Sequence, residues 1–157
     1  MRHLQEHSSP VAKARDYCAR QERAQQEVRD KLYAWKVPAA QVEGILSQLI
    51  AEGYLNEARF AEHFAVSKFR QKGWGLRKIE AALKQKQVSA PCIALALRAL
   101  DGDEYDKGLQ QAVGRKWERL QEPDPFRKHQ KLMRYFLGRG YSADAVERAL
   151  RRCAGSE

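Results

Sequence analysis

Histidines and cysteines are the residues of this chain best suited to hold a metal or attack a substrate, and outside the opening stretch their spacing serves neither purpose. His63 and His129 have no histidine, cysteine or carboxylate three or four residues away, the separation that would put two ligands on one helical face. His3 and His7 do stand four apart, but in a short polar opening stretch far from any cysteine or other histidine. Cys18, Cys92 and Cys153 are odd in number and in no CxxC spacing, which argues against a disulfide framework and against zinc, and leaves them as small buried hydrophobes. None of the serines, from Ser8 to Ser156, stands in a GxSxG. Lys72-Gly-Trp-Gly75 is too short for a phosphate-cradling loop and lacks a GKS or GKT ending. The chain is therefore expected to be no enzyme and to need no cofactor.

Basic residues carry the other chemistry, attraction to a polyanion. The net charge is +9 and the sequence pI about 9.6, which favours nucleic acid or an acidic protein surface as partner. The excess is concentrated: residues 57–100 hold nine bases against Glu57, Glu62 and Glu80, while the flanking thirds are nearly balanced. The densest run, Lys68 to Lys86, has only Glu80 against its bases, and Lys68, Arg70, Lys72, Arg77, Lys78 and Lys84 are the main candidate contacts. A second patch comprises Arg127, Lys128 and Lys131, with Arg134 beside them. Trp74, between Gly73 and Gly75, could stack on a base or enter a protein groove, or simply cover the end of its own helices. A solvated helix face is the plain alternative for each charge run.

The elements that must position these residues are legible as a repeat. With Val37, Val88 and Tyr141 set to zero, the apolar positions around them coincide. Nine residues earlier stand Val28, Ile79 and Leu132, and five earlier stand Leu32, Leu83 and Phe136. Five later come Val42, Ile93 and Val146; nine later, Leu46, Leu97 and Leu150; twelve later, Leu49, Leu100 and Cys153. These steps are helical turns, so each copy holds two amphipathic helices meeting at the zero residue.

Serines 89 and 142 fall where a hydroxyl can cap the second helix, and Pro38 takes that slot in the first copy. Gly53, Gly102 and Gly155 mark helix stops. A further helix precedes each pair: Phe60 and Phe64 in the second copy match Val113 and Trp117 in the third, and in the first copy it starts near Pro10, capped by Ser9. Trp35 and Trp117 are expected to pack beside core residues, and Tyr54 to pack where the first two copies join.

The expected architecture is all-α: three tandem three-helix, helix-turn-helix-like repeats spanning 9–54, 55–101 and 102–155, stacked as an elongated, curved solenoid. On the helix bearing Ile79 and Leu83, Arg77 and Lys84 fall roughly 120 to 140 degrees from the core positions and should face water. No run approaches the roughly 18 apolar residues of a spanning helix, so no membrane contact is expected and the cytoplasm is the expected location.

Gly53-Tyr-Leu-Asn-Glu-Ala-Arg-Phe-Ala61 resembles the GYLxDxRFA signature of the RecX family, regulators of the RecA recombinase. Lys72-Gly73, Arg77-Lys-Ile79 and Leu83 are similar to the family's KG, RI and EL elements, and Phe136-Leu137 with Arg139-Gly-Tyr141 to its FLxxRGF. The likeness covers nearly the whole chain and is weakest in the first copy, where Ala24-Gln-Gln-Glu27-Val28 lacks the serine of an SxxEL box, a loss of roughly 1 kcal/mol of capping. Asn56 stands where the signature has an acid, and Lys86-Gln87 where it has KG.

The resemblance implies a monomer that binds RecA along the groove of its filaments on DNA and dampens filament growth, strand exchange, ATPase and coprotease activity, and so a part in recombination, repair and the SOS response. Direct contact with single- or double-stranded DNA is a further implied partner. The alternative reading is a helical array that competes for single-stranded DNA without touching the recombinase.

Overall fold

Nine helices occupy residues 9–155, the part of the chain that the computed structural model describes; His3, His7, Ser8 and Ser156 lie outside it. They are α1 (Pro10–Arg20), α2 (Gln25–Ala34), α3 (Ala39–Ala51), α4 (Glu57–Lys72), α5 (Leu76–Gln85), α6 (Ala90–Leu100), α7 (Asp103–Arg119), α8 (Pro125–Gly138) and α9 (Ala143–Gly155). Among the described residues there is no strand, and no helix is long and apolar enough to cross a membrane.

The repeat register is the packing register. All the residues aligned at the zero and at the five offsets are buried except Leu97 and Cys153, which are half-buried against the same core. The corner at each zero is built identically. Lys36, Gln87 and Gly140 adopt left-handed backbone, with φ of 63, 59 and 101°. Their N–H groups donate to Tyr33, Lys84 and Leu137 carbonyls, and the N–H of the following zero residue donates to the carbonyl of Leu32, Leu83 or Phe136. This paired 5→2 and 6→1 bonding is a Schellman stop, sealed by an apolar contact between the zero residue and the one five before it.

Helix starts are capped by several devices. Ser9 Oγ accepts from Ala12 N–H, Asn56 Oδ1 from Arg59 N–H and Ser142 Oγ from Ala145 N–H. Asn56 thus meets the capping need of α4 without a charge. Ser89 differs from expectation: its hydroxyl makes no capping bond, and its own N–H is bound by the Glu57 carboxylate from the start of α4. Ala24 leaves α2 uncapped and is itself fully buried. Gly53 is a left-handed stop, with φ 82°, whereas Gly102 is extended and opens α7, and Gly155 is the last residue of α9.

Three helix triplets follow one another, yet they build two cores. One holds Ala14, Cys18, Val28, Leu32, Val42, Leu46, Leu49 and Leu55, all from the first 55 residues. The other runs without a break through α4 to α9, with Phe60, Phe69, Tyr105, Phe136 and Tyr141 among its buried residues, and takes in Ala24. Within it α4 packs along α6, and α7 along α9. Leu55, not Tyr54, fills the joint after Gly53: Leu55 is buried, while Tyr54 is exposed, because the Gly53 turn aims consecutive side chains to opposite sides. Trp35 packs edge-on against Tyr17.

Candidate interaction site

The two short motifs Lys72-Gly73-Trp74-Gly75 and Arg139-Gly140-Tyr141 meet in space. Gly73 ends α4 in left-handed conformation, and Gly75 starts α5. Gly75 N–H donates to the Arg139 carbonyl at 2.8 Å, and Arg77 N–H to the Gly140 carbonyl at 3.0 Å. Tyr141 Oη donates to the Gly73 carbonyl, Tyr105 Oη accepts from Leu76 N–H, and the Arg139 guanidinium donates to the Lys72 carbonyl. Backbones approach so closely that a Cβ on Gly75 would lie 2.5 Å from the Gly140 carbonyl carbon, and one on Gly140 would lie 2.5 Å from Lys78 Cβ. Glycine is required at both positions, and at Gly140 for its φ as well. Burial pushes both phenols up, Tyr141 to about 12.

This fixed joint positions the basic residues of α4 and α5. The Trp74 ring is half-buried, packed edge-on against Phe64 and the core, so it covers the end of its own helices. It also carries charge: Lys78 Nζ lies 4.8 Å and Lys68 Nζ 5.1 Å from its ring centroid. These cation–π contacts hold two ammonium groups on one aromatic plate without neutralising them. Arg77 is exposed, as the helical wheel requires, and Lys72 is exposed at the end of α4. Lys68, Lys72, Arg77 and Lys78 have no carboxylate within ion-pair distance among the described residues, whereas the exposed Lys84 is 3.0 Å from Glu80 one turn earlier.

Other bases of the middle third are tied to neighbours. Arg70 grips Glu104 of α7 through two bonds of 2.8 and 3.0 Å, which hold the carboxyl below its usual range and raise the guanidinium. Arg59 pairs with Glu22 at 2.5 Å and Lys86 with Glu27 at 3.2 Å, both acids belonging to the first triplet. The charge excess read along the chain is thus partly balanced in space. In α8, Arg127 lies 3.7 Å from Asp124 and Lys131 2.9 Å from Glu122, while Lys128 sits 4.0 Å over the Trp117 ring. The α8 patch is more compensated than its sequence implied.

Sequence reasoning missed a second cationic cluster. Arg115, Lys116 and Arg119 of α7 converge with Arg139 on a hollow of about 420 Å³ between α7, α8 and the Gly73 corner. Their signal was present, since 115, 116 and 119 share a helical face. It was masked by Asp103, Glu104 and Asp106 at the other end of the same helix. No cluster of three or more potential metal ligands occurs among the described residues.

The fold and this geometry define an all-helical repeat protein of helix-turn-helix-like units with cationic, aromatic-backed faces. The chain belongs to the RecX family: the second three-helix domain of RecX matches residues 56–97 and the third matches residues 103–150. It is 34% identical over 141 residues to the regulatory protein RecX of Ectopseudomonas mendocina (strain ymp), covering 89% of this chain and 91% of that one. To the regulatory protein RecX of Streptomyces lividans it is 26% identical over 152 residues, covering 94% and 81%. The crystal structure of RecX from Lactobacillus salivarius shares the fold, with a TM-score of 0.86 at 19% identity over 96% of this chain and 98% of that one.

Proposed function

We propose that the protein is a regulator that binds RecA and RecA filaments on DNA and dampens recombinase, ATPase and coprotease activity. The observation that carries the reading is the Trp74 plate with Lys68, Lys72, Arg77 and Lys78: cations left without carboxylates on a joint held by backbone hydrogen bonds. Family membership supplies the kind of partner, since the relatives are named regulatory proteins RecX. A row of helix triplets suits a filament groove, where several weak contacts add up without a deep pocket. Lys84 extends the main face along α5; Arg70 acts mainly within the chain, bound to Glu104, and Arg127, Lys128 and Lys131 form a secondary contact. The protein works as a cytoplasmic monomer.

Steady-state ATP hydrolysis by RecA on single-stranded DNA tests this. Substoichiometric protein is expected to slow hydrolysis, and Arg77→Glu with Lys84→Glu to relieve the inhibition. Undiminished inhibition by that variant would exclude this face, and inhibition that vanishes once DNA is in large excess would favour simple competition for the strand.

A further inference from the structure

We infer that the cleft between the second and third helix triplets seats the phosphodiester backbone of a single nucleic-acid strand. The hollow under Arg115, Lys116, Arg119 and Arg139 is continuous, through Gly73, Ala112 and Arg115, with a second hollow of about 690 Å³ that reaches Lys107 and Arg70. No carboxylate lies within ion-pair distance of Arg115, Lys116, Arg119 or Arg139 among the described residues. Glu104 is the one acid lining either hollow, and it is bound to Arg70. Converging cations without carboxylate partners repel one another, so their arrangement raises the local potential for an anion.

The cleft is built rather than incidental. Its floor is Gly108 and Ala112, and a Cβ on Gly108 would lie 2.5 Å from Phe69 Cζ, so packing of the aromatic core keeps the floor low. Two of the cations are held before any ligand arrives: Lys116 Nζ lies 3.8 Å over the Tyr135 ring, and Arg139 is bound to the Lys72 carbonyl. Ordering costs that binding would otherwise incur are thereby reduced.

Shape and composition select the ligand. From Lys107 to Arg119 the helix rises about 18 Å, which matches a series of phosphates better than one free anion. Tyr135, 40% exposed at the lip, offers aromatic surface beside Lys116 against which a base can pack, a feature that an acidic peptide would leave unused. The main candidate face around Trp74 is not involved, so this inference stands or falls separately from the recombinase reading.

The test is binding of a labelled oligothymidylate of about fifteen nucleotides, a length within the usual range for single-strand sites, in a salt series without recombinase. Arg115 and Arg119 are exposed and in no ion pair among the described residues, so Arg115→Glu with Arg119→Glu should keep its thermal unfolding profile. It is expected to lose at least about tenfold in affinity and to flatten the plot of log K against log salt by about 1.4, two phosphates at roughly 0.7 each. Arg77→Glu with Lys84→Glu is expected to retain most of the affinity. Absence of binding by the wild-type chain, an unchanged slope in the Arg115/Arg119 variant, or displacement of the strand by duplex DNA or polyglutamate as readily as by unlabelled strand would each overturn the assignment.

Discussion

Between α3 and α4 the chain passes from an aliphatic core to an aromatic one, while between α6 and α7 it stays inside the same core. The two junctions are made of different materials. The first is joined by the side-chain pairs Arg59–Glu22 and Lys86–Glu27, partly exposed, and by the small buried Ala24. The second is joined by backbone hydrogen bonds, by glycine contacts and by the ladder Phe69, Tyr105, Tyr141 and Phe136, with ring centroids 5.3 to 6.2 Å apart. Solvated ion pairs contribute little and weaken with salt, whereas buried aromatic area and satisfied backbone groups do not. One repeat architecture therefore yields a rigid body from α4 to α9 and a separately cored arm from α1 to α3.

The largest test of this contrast is Gly140→Ala. It combines a forced left-handed alanine with overpacking against Lys78 and Gly75, and is expected to destabilise the α4–α9 body by about 3 kcal/mol. Thermal unfolding followed by near-ultraviolet circular dichroism reads the loss, and the aliphatic core should be spared.

Next in size is Tyr141→Phe, expected to cost about 1 kcal/mol through the lost bond to Gly73. It also carries a pH signature. The folded phenol is raised to about 12 from an ordinary 10, so its contribution is fully present below pH 10 and is lost as pH rises from 10 through about 12. The phenylalanine variant should show a shallower alkaline decline in stability, with Tyr105 sustaining the remainder.

Gln87→Gly is expected to gain about 1 kcal/mol by relieving left-handed strain at φ 59°, measured as a raised denaturation midpoint. The smallest effect belongs to the first junction. Glu22→Gln with Glu27→Gln should cost under about 1 kcal/mol, and the difference from the wild type should shrink as salt is added. A loss as large as that from Gly140→Ala would erase the distinction between the junctions.

The helix triplets were legible because core positions obey a local period: Val37, Val88 and Tyr141 need only neighbours five, nine and twelve residues away. Ion pairing was not legible. Arg59 and Glu22 lie 37 residues apart, Arg70 and Glu104 34, and Lys86 and Glu27 59, separations that no helical wheel connects. Lys68 and Lys78 were identified from charge alone, and their attachment to Trp74 required the α4–α5 corner to fold back. The α7 cluster escaped notice because acids in the first turn, which suit the helix dipole, cancelled its bases in any count along the chain. Fusion of the second and third cores was hidden as well, since glycine-to-glycine approach leaves no periodic trace.

Native-state hydrogen exchange in rising denaturant measures the division directly. Amides of α2 and α3 are expected to exchange through a subglobal opening of lower free energy, while core amides of α4, α6, α7 and α9 exchange together at the global value. Exchange of all nine helices at one common free energy would contradict the account.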